Sequence, residues 1–346
     1  MRTLATVALM ACMSFLSIPA YADDAVELNF QSIYSDAQTQ TAALMKPWCE
    51  KIKELSGGTL TVHHFPTGAI VEPSAAVDAV ENGTLDMLTW YGGVFFEKYP
   101  VTGMFYMPFM VKSAHHGVAV LNAAYEAWPE LKAEWNNKKV PLFWWTSAPF
   151  SIASIKSPIT KPADLKGKRV LVLQASDTPF VEAWGGTPVF VAVGDAYVGL
   201  QRGMGEALFT ATPYQKGLKI LEIAKYLTIV PSTATTMVNV INKDAWDDLS
   251  PAQQKALQDA SVGMGDKLAD SLTQDMEAIK AAFIQKGGEV ITLTPEARQE
   301  FYEGCLPIIN TVFKGRYSKS YLGQNAEAWM KKARELSESI PDPDEK

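Results

Sequence analysis

Cysteine, histidine and surplus positive charge are all scarce in this 346-residue chain, and each shortage excludes something. Lys and Arg number 31 against 38 Asp and Glu, a net charge of −7. The clustered basic surface that phosphate backbones require is therefore missing, which excludes nucleic acid as a partner. The four histidines occur as two adjacent pairs, His63-His64 and His115-His116. Neighbours on a strand face opposite ways and neighbours on a helix diverge by about 100°, so neither pair converges on a metal, and no metal or cofactor is expected. Cysteine appears only at positions 12, 49 and 305. The 255 residues between Cys49 and Cys305 give no framework signal, so one disulfide and two separate buried thiols both stay open. There is no G-x-S-x-G elbow, no P-loop, no G-x-G-x-x-G after a strand and no H-E-x-x-H, so the chain is not expected to be an enzyme. Beyond the N-terminus no stretch approaches ~18 uninterrupted apolar residues, so no membrane span is expected.

What is present is apolar and aromatic material: 47% hydrophobic residues, 10% aromatics and nine Trp. That is enough for one large domain or two ordinary ones, and it is wrong for a disordered chain. Residues 1–22 read as a cleaved secretory signal, with Arg2 in the n-region, an apolar run over 4–19 and the small-x-small site Ala20-Tyr21-Ala22. Leu9-Met10-Ala11-Cys12 faintly resembles a lipobox, but the hydrophobic region before Cys12 is too short. Export would leave a soluble chain of 324 residues (346 − 22) with a charge of −8 (30 − 38), since Arg2 departs with the signal.

Short β-rich runs alternate with helical stretches, the pattern of an α/β protein. Strands are expected at 26–34, 59–65, 85–90, 140–145, 168–173 and 187–191. Helices are expected at 39–55 (with Pro47 as a kink), 74–81, 114–128 and 178–184, and the Pro162 segment reads as a turn. From Pro251 the pattern becomes helical: one helix over 251–285, about 50 Å long, then 296–313 and 326–339.

Three segments carry a resemblance: "LSGGTLTVHHFPTGAIVEPSAAVDAVENGTLDM" (55–87), "PADLKGKRVLV" (162–172) with "GGTPVFVAVGDAYVGLQRGMGEA" (185–207), and "DAWDDLSPAQQKAL" (244–257). In this order they resemble the DctP family of TRAP transporter solute-binding proteins. The resemblance implies a two-lobed periplasmic-binding-protein fold with a hinge and a long helix spanning both lobes. Lobe I would take 23–146 and 236–275, and lobe II 147–235 and 276–346. It also implies a periplasmic monomer that captures a small solute in the interlobe cleft and delivers it to the small and large permease subunits.

Aligned without gaps, the family's carboxylate-gripping Arg falls on Leu171, a second Arg on Phe150, and a pocket Asn or Trp on Thr210 beside Phe209. Tyr34, Trp90, Tyr91 and Trp145 (or its neighbour Trp144) fall on cleft-facing segments. Losing a guanidinium partner is costly for a desolvated carboxylate. The expected ligand is therefore a small amine or amino alcohol such as ethanolamine, or a neutral solute, in a box formed by Tyr34, Trp90, Tyr91, Trp145, Phe150, Leu171, Phe209 and Thr210. The alternatives are an organic acid gripped by another donor such as Arg169 or Arg202, or a periplasmic sensor on the same fold.

Overall fold

The computed structural model describes residues 24–32, 44–72, 75–91 (Tyr91 as backbone only), 98–135 and 137–344. Among them, eleven strands form two sheets. The first contains β1 (Val26–Gln31), β2 (Leu60–Phe65), β3 (Met87–Tyr91), β4 (Lys139–Thr146) and β10 (Thr236–Asn242), in the order β2-β1-β3-β10-β4. The second contains β5 (Phe150–Ser154), β6 (Arg169–Val172), β7 (Thr187–Phe190), β8 (Ala207–Ala211), β9 (Tyr226–Ile229) and β11 (Glu289–Thr292), in the order β11-β9-β5-β8-β6-β7. β1, β2 and β3 run parallel, as do β6, β7 and β8, while β10 and β5 run antiparallel to their neighbours β3 and β8. The chain thus leaves the first sheet after β4, builds most of the second, and returns to thread β10 between β3 and β4.

Local pattern explains these placements. β1 alternates, with Leu28 and Phe30 buried and Glu27 and Asn29 exposed, because one face packs on helices. β5, β8 and β10 are buried along their whole length, as central strands covered on both faces must be. Three apolar layers result. One, with Phe30, Trp48, Phe143, Trp145 and Leu268, lies on one face of the first sheet. A second runs continuously from Trp90, Trp135 and Trp144 of the first sheet to Phe150, Phe180 and Phe209 of the second. The third, with Leu171, Leu208 and Phe283, covers the second sheet's other face.

Three helical expectations need correcting. Pro47 sits in the first turn of Lys46–Leu55, where its missing N–H costs nothing, so it starts this helix and does not kink it; residues 33–43 lie outside the described segments. The single helix expected over 251–285 is two, Pro251–Ser261 and Met264–Gln285. Gly263 between them adopts a left-handed φ of +70°, which ends one helix before the next begins. The second piece has 22 residues, about 33 Å, and touches β4 and helix Ala114–Ala127 on one side and β11 and helix Thr212–Gly217 on the other. Similarly, the helix expected over 296–313 is Pro295–Ile308 followed by a wider π turn, Ile309–Phe313, just past Pro307. Cys49 and Cys305 are free and buried, and burial pushes both thiols up to about 12.

Candidate functional site

The connections between the sheets place the site. Residue pairing sets Tyr91 beside Met237 and Met237 beside Trp145, so the carboxyl end of β3 lies with the end of β4 and the start of β10. In the second sheet Phe150 at the start of β5 pairs with Ala211 at the carboxyl end of β8. Both crossovers, 147–149 and 230–235, therefore join the same ends of the two sheets. The carboxyl ends of β1, β2 and β3 are directed towards those of β6, β7 and β8, the place where open parallel sheets bind ligands.

The crossovers are bonded to each other. Ser147 N–H donates to the Thr235 carbonyl and Thr235 N–H to Ser147 Oγ, both at 2.9 Å, and Phe150 N–H donates to the Thr233 carbonyl at 3.0 Å. A strap, residues 106–110, crosses this double strand. Phe109 N–H donates to the Ser232 carbonyl at 2.6 Å, and Thr233 Oγ1 donates to the Tyr106 carbonyl at 3.0 Å. The same strap is held from behind by Arg334 on the Pro108 carbonyl (2.9 Å) and Ser337 on the Met110 carbonyl (2.6 Å). Phe109 carries a φ of +57°, an uncommon conformation for a non-glycine residue that the surrounding bonds enforce.

From the strap the Tyr106 side chain reaches the second sheet. Its ring stands edge-on to Phe150 and Phe180, and its hydroxyl donates to Asp177 in the turn after β6. Burial pushes the Tyr106 phenol well above its ordinary value, and the Asp177 charge adds to that rise, while Arg316 opposes it. Asp177 is itself fully buried; desolvation pushes its carboxyl up to about 7, opposed by hydrogen bonds from Tyr106 and Ser176. Nothing in the sequence marked this residue. An Asp before Thr178-Pro179 reads as an ordinary helix N-cap, yet its side chain makes no capping bond.

Of the expected box, the structure brings two aromatic members together. Phe150 and Phe209 stand edge-on at 5.2 Å, and Thr210 is the next residue of β8. Trp90 packs instead against Tyr99 and Trp135, with centroids at 5.1 and 4.8 Å, inside the first sheet's aromatic cluster. Trp145 lies in the layer on the opposite face, its indole N–H donating to Asn239 Oδ1 at 3.2 Å, while Trp144 joins the Trp90 cluster. Leu171 is fully buried against Gly199 and Gly205, in the layer away from Phe209. Strand alternation is the reason: Val170 and Val172 share the Phe209 layer and the residue between them cannot. Tyr34 lies outside the described residues, and Tyr91 ends β3.

The substitute arginines are also misplaced. Arg169 starts β6 and bonds the Gly203 carbonyl at 2.6 Å, and Arg202 caps the helix Ala196–Gln201 that runs back to that same end. Both stand at the end of the second sheet remote from the crossovers. The buried ion pair of Glu81 and Lys139 lies at the corresponding far end of the first sheet, where β4 begins. Burial raises Glu81, but hydrogen bonds from Lys139, Lys98 and Tyr99 outweigh it and bring the carboxyl down to about 2. Among the described residues no three His, Cys, Asp or Glu side chains gather as a metal site would need, and no helix is long and apolar enough to cross a membrane.

Comparison with known proteins places this arrangement. Residues 30–316 match the model of "bacterial extracellular solute-binding protein, family 7", DctP. The 2,3-diketo-L-gulonate-binding periplasmic protein of Escherichia coli is 24% identical over 297 residues, 84% of this chain and 88% of that protein. The ectoine-binding periplasmic protein of Halomonas elongata is 23% identical, over 81% of this chain and 82% of its own length. Among solved structures, a marine metagenome TRAP solute-binding protein in complex with 3-hydroxybenzoate has a TM-score of 0.80 at 21% identity, covering 92% of this chain and all of that one. A TRAP periplasmic solute-binding protein from Chromohalobacter salexigens with bound D-glucuronate scores 0.78 at 17% identity, covering 89% and 99%.

Proposed function

The chain belongs to the DctP family of extracellular solute-binding proteins, and from that premise we propose that it captures a small organic acid between its two sheets and delivers it to the membrane subunits of a TRAP permease. The observation that carries the capture role is the geometry of the crossovers. Two facing sets of strand ends, with the paired crossovers running between the sheets beside them, are the arrangement in which a cleft closes over a ligand by bending at the crossovers. The acid assignment is supported by the relatives and structural neighbours, whose names and bound molecules include a diketogulonate, a glucuronate and aromatic acids. The amine reading, ethanolamine included, drew its support from Leu171 and Phe150 replacing two arginines in an aromatic box. With Leu171 in a core layer and Trp90 and Trp145 on opposite faces of the first sheet, that support falls away.

A thermal-shift panel of sugar acids, aromatic acids, ectoine, ethanolamine and neutral polyols tests the class. Stabilisation follows RT ln(1 + [L]/Kd), so a micromolar solute at millimolar concentration contributes about 4 kcal/mol. Melting-point rises confined to carboxylate-bearing compounds are the expected result; rises confined to amines or polyols would reverse the assignment. Uptake of the same solute by vesicles holding the two permease subunits, only when this protein is added, tests delivery. Chemical turnover of the solute by purified protein would sink the pure binding role.

A further inference from the structure

The turn after β6 carries two buried acceptor oxygens that no donor among the described residues meets. One is Asp177 Oδ2 and the other is Gln174 Oε1, three residues earlier. Native interiors rarely leave such atoms unmet, and a carboxylate is the costliest group to leave so. Asp177 is fully buried, its Oδ1 takes the Tyr106 hydroxyl with Ser176 Oγ at 3.5 Å, and no ion pair to it occurs among the described residues. The turn lies at the carboxyl end of a parallel strand, on the side of the sheet where the crossovers and the facing lobe meet. With the carboxyl ionised both orphans are acceptors, so what they lack is a donor, and the carboxylate in particular lacks a positive charge.

We propose that Asp177 and Gln174 receive a cationic N–H group of the captured solute, so that the acid bound by this protein is a zwitterion. This rests on the capture role proposed above and narrows its ligand class. The Tyr106 hydroxyl, arriving from the other lobe, fixes Oδ1 and leaves Oδ2 for the ligand. The elevated carboxyl, about 7 without ligand, gives binding a proton signature. The free protein holds Asp177 largely protonated below pH 7, and a cation that needs the carboxylate must displace that proton.

The experiment is isothermal titration with ectoine and the proteinogenic amino acids as zwitterions, D-glucuronate and 3-hydroxybenzoate as acids without a cation, and ethanolamine as a cation without an acid. At least one zwitterion is expected to bind more tightly than every probe of the other two groups. At pH 6, runs in buffers of different ionisation enthalpy should show proton release for it. Asp177→Asn, which keeps the shape and the Tyr106 contact, should weaken that zwitterion at least tenfold and abolish the proton release. If the variant fails to fold, proton release by the wild-type protein decides. Acid probes that bind alone, with equal affinity in Asp177→Asn, would overturn the cation site and leave the capture role standing. Absence of binding by every probe would overturn the cation site, and it touches the capture role only if the wider panel and the vesicle uptake fail too.

Discussion

Gly265 sets how closely the long helix Met264–Gln285 lies on the first sheet. A Cβ there would stand 2.4 Å from the Trp144 carbonyl oxygen and 3.1 Å from Val118 Cγ1, and a backbone carbonyl in a strand cannot step aside. Alanine is the better helix former by up to about 1 kcal/mol, so propensity and packing oppose each other here. Packing wins, and Gly265→Ala is expected to destabilise the protein by about 1–3 kcal/mol, read as a lower urea midpoint at constant m. Single residues were also where the sequence misled most. The family alignment named segments, and it could not say which way a side chain points. That Phe150 and Phe209, on neighbouring strands, share one face was legible. Leu171 is one pleat away from that face and was not. Trp90 and Trp144 fell on the right strands, but they pack through Trp135, which lies on a helix between those strands and 45 residues from Trp90 (135 − 90). Asp177 had no sequence signal because its distinction is full burial with one carboxyl oxygen, Oδ2, unmet among the described residues.

Among elements, the helix Ala114–Ala127 shows how two adjacent histidines divide one task. His115 bridges Asp270 (3.0 Å) of the long helix and Asp344 (3.0 Å) near the C-terminus, while the His116 ring meets the Ser337 carbonyl at 3.0 Å. Both tether the C-terminal segment, with Ser113 bonding Asp342 at 2.6 Å. Their titrations run in opposite senses. Burial works to lower His115, but the hydrogen bonds and charges of Asp344 and Asp270 raise it above 6.5. Burial dominates for His116, whose Nδ1 accepts the Lys112 N–H and must stay unprotonated, so it falls below 6.5. The His115 contribution is therefore complete below 6.5 and disappears as pH rises through its elevated value. The His116 contribution is complete above 6.5 and disappears as pH falls through its depressed value. Hydrogen exchange at residues 337–344, corrected for intrinsic rates, should be slowest between those limits and faster on either side. In His115→Ala the alkaline limb should vanish; an unchanged profile would show that the tail is held by other groups. Six of the eleven strands, β2 among them, and helices such as Ala326–Ser339 were legible because they follow plain periodicity. The break at Gly263 was not, because an isolated glycine inside a helical pattern is usually tolerated.

At the scale of the molecule, the two-lobed plan was legible because it is written in order: a parallel unit, a crossover, a second parallel unit, a return. Five strands were hidden: β5, β8, β9, β11 and the return strand β10. β10 is buried along its length and antiparallel, so no alternation betrays it, and yet it completes the first sheet from residues 236–242. Gln253, just beyond it, donates to the carbonyls of Asp24 and Thr59 at 2.9 and 3.0 Å, and Trp48 Nε1 reaches Ser261 Oγ at 3.3 Å. The consequence is one of time. The first lobe is assembled from both ends of a long stretch of chain, so its loop-closure entropy is met only after the second lobe's strands have emerged. A fragment ending at residue 235 should stay without a cooperative unfolding transition, however well its own strands match their pattern. A fragment extended to residue 285 should regain one in circular dichroism. The full chain should refold slowly, with the first lobe's tryptophan fluorescence recovering last.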